Sequence, residues 1–127
     1  MASIFELESP SFGRSSSGKL LVAASNTAGT TLSAAESCGA VITATPTGNR
    51  TITTATAAAI KAELADQYKV GQTFELHVVN LASATHGLTL AGGDSVTVTG
   101  DAVVAAATSG TFVGRVTSAT AITFYRV

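Results

Sequence analysis

Residues 72–127 are written as short alternating runs: QTFELHVVNL, HGLTLAGG, DSVTVTG, GTFVGRVT and AITFYRV. A two-residue hydrophobic period puts apolar side chains on one face of an extended strand and polar ones on the other. Gly, Asp, Asn or Ser punctuates each run, and these residues tolerate the backbone angles of tight turns. Phe74, Leu76 and Val78 share one face, opposite Glu75, His77 and Val79. Leu88 and Leu90 alternate with Thr89, and Val96 and Val98 with Thr97 and Thr99. Phe112, Gly114 and Val116 oppose Val113, Arg115 and Thr117, while Ile122 and Phe124 oppose Thr123 and Tyr125. Several short strands at near-regular spacing predict a mainly β fold, an antiparallel β-sandwich or jelly-roll-like barrel. Leu76, Leu88, Leu90, Val96, Phe74, Phe112, Ile122 and Phe124 carry the expected core, since burying a large apolar side chain contributes about 1.5–3 kcal/mol.

The first half is less regular. Residues 19–25 (KLLVAAS) form a short apolar strand candidate, and residues 26–30 a turn-rich stretch. Residues 31–38 alternate weakly. In residues 40–45 (AVITAT), Val41 and Ile42 point to opposite faces, so this strand is expected to be covered on both sides. Pro46-Thr47-Gly48-Asn49 has tight-turn chemistry, and residues 50–54 (RTITT) are expected to return as the second arm of a hairpin.

One short helix, at about residues 56–67, interrupts the strands. The Thr56 hydroxyl is suited to accept a free N–H of its first turn. Ala57, Ile60 and Leu64 form one apolar stripe, with Lys61, Glu63 and Asp66 mostly off it. Gly71 is the expected stop. The domain is expected to span residues 20–127, with residues 1–19 as an N-terminal arm or a first strand. That leading segment holds Ile4, Phe5, Leu7, Pro10 and Phe12, then a Ser/Gly cluster. Two readings stand: the arm docks on a neighbouring subunit, or it is the first strand of the domain's own sheet.

Only 12% of the 127 residues are charged, about half the usual share, and 7 basic residues face 8 acidic ones. Without a basic stripe, nucleic acid is not an expected partner. Net charge near zero favours contact between copies. No apolar run approaches the roughly 20 residues that cross a bilayer, and the first residues lack the pattern of a signal peptide, so no membrane role is expected. The single cysteine, Cys38, excludes an internal disulfide and is expected to be a small buried residue.

Chemistry-bearing motifs are missing. The segment Ala91-Gly92-Gly93-Asp94 joins two strands, whereas a phosphate cradle needs a helix after the glycines. His77 and His86, with Asp94 or Asp101, have no defined metal spacing and are expected to be surface or interface polar groups. Glu63 and Asp66 are expected on a solvated helix face. No catalytic residue, metal or cofactor is expected, and the chain is not expected to be an enzyme.

Residues 40–127 run AVITATPTGNRTIT, TAAAIKAELADQYKVGQTFELHVVN, TLAGGDSVTVTG and TSGTFVGRVTSATAITFYRV. This order resembles small structural proteins of tailed bacteriophages, the capsid decoration (cement) proteins and related trimeric jelly-roll knobs. The resemblance implies a homotrimer made in the host cytoplasm. It would sit on the virion's capsid exterior, bridging copies of the major capsid protein and stabilising the assembled head. Ile4, Phe5, Leu7, Phe12 and Arg14 of the arm are the expected contact residues. A tail-fibre or receptor-binding knob is the alternative.

Overall fold

Strand pairing runs along the stack rather than across hairpins. The computed structural model describes residues 20–127. Its strands are β1 (Leu20–Ala23), β2 (Thr30–Thr31), β3 (Ala40–Ala44), β4 (Arg50–Thr53), β5 (Thr73–Asn80), β6 (Leu88–Ala91), β7 (Val96–Thr99), β8 (Val103–Val104), β9 (Ser109–Val116) and β10 (Ile122–Arg126). They form a six-stranded sheet, ordered β1-β3-β5-β9-β10-β7, and a four-stranded sheet, ordered β2-β4-β6-β8. The expected mainly β, sandwich-like architecture is observed. Strand directions differ from expectation, because five of the eight pairs are parallel and three antiparallel.

The parallel pairs come from a repeated path. The chain lays a strand in the larger sheet, turns, lays one in the smaller sheet, and returns through a helix. β1-β2 is followed by helix α1 (Ala34–Cys38), β3-β4 by helix α2 (Ala57–Leu64), and β5-β6 makes a third rung. Leu20 lies beside Ala40, and Thr30 beside Ile52. Parallel neighbours need a crossover of a dozen or more residues, and here the smaller-sheet strand plus a helix supplies it.

The expected hairpin at residues 46–49 is therefore a corner between sheets: β3 and β4 lie in different sheets. The turn residues bond the adjacent turn instead of closing their own. Thr45 N–H donates to Asn26 Oδ1 (2.8 Å), and Gly87 N–H donates to Asn49 Oδ1 (2.9 Å). The turn at residues 91–94 is likewise a corner, from β6 in the smaller sheet to β7 in the larger. A true hairpin joins β9 to β10, with Thr117 N–H donating to the Ala121 carbonyl (3.0 Å).

Helix α1 lies within the weakly alternating residues 31–38. A capping box holds it: Glu36 N–H donates to Ser33 Oγ (3.2 Å), and Ser33 N–H donates to Glu36 Oε1 (2.8 Å). Helix α2 forms as expected, with Thr56 Oγ1 accepting from Ala59 N–H (3.1 Å) and a 3-10 turn continuing over Ala65–Gln67. Its stripe points inward, with Ala57 and Ile60 buried and Leu64 half-buried. Gly71 is not its stop. The helix ends at Ala65, at a positive φ of 50°, and Gly71 (φ 93°) turns the chain into β5.

The core between the sheets holds Phe112, Phe124, Ile42, Ile52, Ile60, Leu76, Leu88 and Ile122, each fully buried. Of the expected core, only Phe74 is half-buried. It stacks edge-on against Phe124, with centroids 5.5 Å apart at 79°. Gly114 permits that contact, since a Cβ there would fall within the Phe74 ring's envelope. Ile42 is buried, but Val41 is half-buried on the open side of the sheet, so β3 is not covered on both faces.

Candidate functional site

Alternation on the six-stranded sheet sends every second side chain away from the core, and the register aligns those side chains in rows. One row runs Leu21, Val41, His77, Thr111 and the next Ala23, Thr43, Val79, Ser109. A third runs Glu75, Val113, Tyr125, Thr99 and a fourth Thr73, Arg115, Thr123, Thr97. These sixteen positions carry two residues of fixed charge, Glu75 and Arg115. The remainder are aliphatic, hydroxyl or aromatic apart from His77. The result is a broad, nearly neutral face that no described helix covers: α1 and α2 pack against each other, with Ala57 and Ile60 turned to the core.

His77 sits within this face. Its Nδ1 lies 3.1 Å from Thr111 Oγ1, and its Nε2 lies 3.2 Å from Glu75 Oε1. Both ring nitrogens are thus held by strand neighbours, which fixes the ring against the sheet. His86 lies in the β5–β6 loop and contributes its carbonyl to Asn80 Nδ2 (2.8 Å). Among the described residues, no three His, Cys, Asp or Glu side chains converge as a metal-binding group. Cys38 is buried at the end of α1, and Glu63 and Asp66 are exposed. Among the described residues, no helix is long and apolar enough to cross a membrane. Ile4, Phe5, Leu7, Phe12 and Arg14 lie outside the described residues.

A cleft of 420 Å³ opens where the start of α2 meets the β6–β7 corner and the β9–β10 loop. It is lined by Thr56, Ala57, Ala58 and Lys61 of the helix, Asp94 and Ser95 of the corner, and Ala119 and Thr120 of the loop. Lys61 is tethered there, its Nζ donating to the Ala119 carbonyl (3.1 Å) and lying 5.4 Å from the Tyr68 ring centroid. Ser95 holds a left-handed backbone (φ 62°), a conformation disfavoured for a residue with a side chain. The sequence offered no signal for this cleft beyond Asp94 following two glycines, because its three walls are distant in the chain.

Buried polar groups hold the frame. Asn80, 1% exposed, donates through Nδ2 to the His86 and Val104 carbonyls (2.8 and 2.9 Å), and its Oδ1 accepts from Ala82 N–H (3.0 Å). Ser37 Oγ donates to the Ser33 carbonyl (2.8 Å) and accepts from Ala55 N–H (2.9 Å), tying α1 to the segment before α2. Burial pushes the Tyr68 phenol above its ordinary pKa of 10.0. Its hydroxyl donates to the Ser118 carbonyl (3.0 Å). Compared with protein-family models, curated proteins and solved structures, the chain matches none.

Proposed function

We propose that this protein is a structural component of a tailed-phage virion: a decoration protein that binds the outside of the assembled head as a homotrimer. It would bridge neighbouring copies of the major capsid protein. The observation that supports this most is the outer face of the six-stranded sheet. Its rows are made of Val, Thr, Leu and Tyr, and two opposite fixed charges nearly cancel on it. Such a face loses little on desolvation when it meets another surface. The resemblance of residues 40–127 to decoration proteins points the same way.

The mechanism is assembly linkage and needs no catalytic step. A protein that binds only the assembled shell stabilises that state by mass action, by about 2.7 kcal/mol per site at a free concentration of 100 Kd. Three linked copies convert weak single contacts into one strong attachment, because the second and third contacts form at high effective concentration. The arm residues Ile4, Phe5, Leu7, Phe12 and Arg14 are proposed interaction residues, for a neighbouring copy or for the shell.

A receptor-binding knob is the second reading, favoured by the cleft beside α2 with Lys61 and Asp94 in its lining. One experiment separates the two. Purified protein is mixed with emptied, expanded heads of the virus that encodes it, or with host cells, and each mixture is sedimented. Saturable pelleting with heads supports decoration; pelleting with cells alone selects the knob; pelleting with neither rejects both.

A further inference from the structure

β1 ends the six-stranded sheet, and among the described residues its single partner strand is β3. Leu20 N–H donates to the Gly39 carbonyl (3.1 Å) and Ala24 N–H to the Thr43 carbonyl (2.8 Å). In a parallel ladder the alternate residues face the other way, so the backbone groups of Leu21 and Ala23 point to the open edge. That edge is apolar: Leu20 is 40% and Leu21 77% exposed. β1 (LLVA) contains none of the charges or prolines with which proteins blunt such edges.

The chain outside the described residues is 19 residues long and joins the structure at this strand. It contains one run suited to strand addition, Ser3-Ile4-Phe5-Glu6-Leu7-Glu8, with Phe5 and Leu7 on one face. Geometry disfavours this run reaching the edge within its own chain. The first rung separates parallel partners by 20 residues, as in Leu20 beside Ala40. With residues 3–8 as the strand, only the 11 residues 9–19 remain before β1, short of the dozen or more that a parallel crossover needs. An antiparallel return would need the 11 residues 9–19 as its loop, where hairpin loops of about 2–5 are usual. A second copy meets neither constraint.

We infer that residues 3–8 of a second copy add as a strand to the open edge of β1. The exchange is head-to-tail, because the donor and acceptor surfaces differ, and a ring of copies closes it. It deepens the self-assembly in the proposed function, on which it rests, and does not depend on shell binding.

The test is crosslinking in the full chain. Ile4→Cys, Phe5→Cys, Glu6→Cys and Leu7→Cys are each combined with Leu21→Cys and oxidised mildly with diamide. The single variants and a Ser16→Cys/Leu21→Cys pair serve as controls. The expected result is a disulfide between chains for at least one residue 4–7 pair, well above the controls on non-reducing gels. A disulfide within one chain, or none above the controls, overturns the inference. As a second measurement, Phe5→Asp/Leu7→Asp is expected to break the oligomer in native mass spectrometry. It should also speed exchange of the Leu21 and Ala23 amides about tenfold or more. An oligomer and amide protection both unchanged in that variant also overturn it. Loss of head binding with the crosslink intact would reject the shell role alone.

Discussion

Replacing Asn80 with Ala should cost the protein about 3 kcal/mol, and the figure follows from three hydrogen bonds. The amide sits at the end of β5 and bonds the loop to β6 and the strand β8. In Asn80→Ala, the Val104 carbonyl and the Ala82 N–H lose partners in buried surroundings. Each such group costs about 1–3 kcal/mol. The bond to the His86 carbonyl is only part-buried, so water recovers some of that loss. A domain of this size has about 5–15 kcal/mol to lose. With a urea slope of about 1.5 kcal/mol/M, the unfolding midpoint should fall by about 2 M. Asn80→Asp sharpens the test, because the carboxylate keeps the acceptor for Ala82 N–H but turns an oxygen toward two carbonyls. At neutral pH it should be at least as damaging as Ala. Midpoint shifts below about 0.5 M for Ala, or an Asp variant close to wild type, would refute the claim that polarity rather than shape makes this position matter.

Three other outcomes can be checked by the same denaturation. Gly114→Ala presses a methyl group into the Phe74 and Phe124 rings and should cost about 1–3 kcal/mol, with no effect if the ring pair can slide apart. Asn49→Ala removes the acceptor for Gly87 N–H between two stacked corners and should cost about 1 kcal/mol, seen as a lower urea midpoint at unchanged slope. Tyr68 holds its proton more tightly when folded than when unfolded. Its contribution is fully present below the unfolded pKa, near 10, and is lost as pH rises through the higher folded value. Alkaline urea titrations should show a shallower decline in Tyr68→Phe than in wild type.

Residues 72–127 were legible because alternation reports which face of a strand is buried, and that holds whatever the strand's partner. Leu76, Phe112, Ile122 and Phe124 fall where a two-residue period puts them. Partner identity was not legible. Asn26 and Asn49 have turn chemistry in a hairpin and in a corner alike, and only the stack shows that their side chains bond the next turn. Helix α1 did leave a local signal, Ser33 three residues before Glu36, but five residues are too few for a helical period to show. The cleft and the Asn80 network bring together residues from separate loops, which no local pattern encodes. The outer face was half legible: its Thr and Val content was plain, but its rows depend on the register of parallel strands.

The β1 edge and the middle of the face lie strands apart, which yields a prediction that tests both assignments together. Val113 lies mid-face, beside Glu75 on β5 and Tyr125 on β10, and is half-buried. In Val113→Lys the new ammonium stands beside Glu75, an opposite charge worth about 0.2–1 kcal/mol across strands, so the fold should survive. On a face meant to meet another surface the same ammonium must also be desolvated, a cost that its attraction to Glu75 does not repay, so pelleting with heads should be abolished. Native mass spectrometry should still show the oligomer, because β1 lies three strands away from β9 in the sheet order β1-β3-β5-β9. Leu21→Lys, at the β1 margin of the face, should disrupt assembly of the copies first, and head binding should weaken with the loss of the linked contacts. If Val113→Lys dissociates the oligomer, this face is where copies meet. If it leaves both oligomer and head binding intact, the face has no part in assembly, and its rows serve only to close the outside of the sheet.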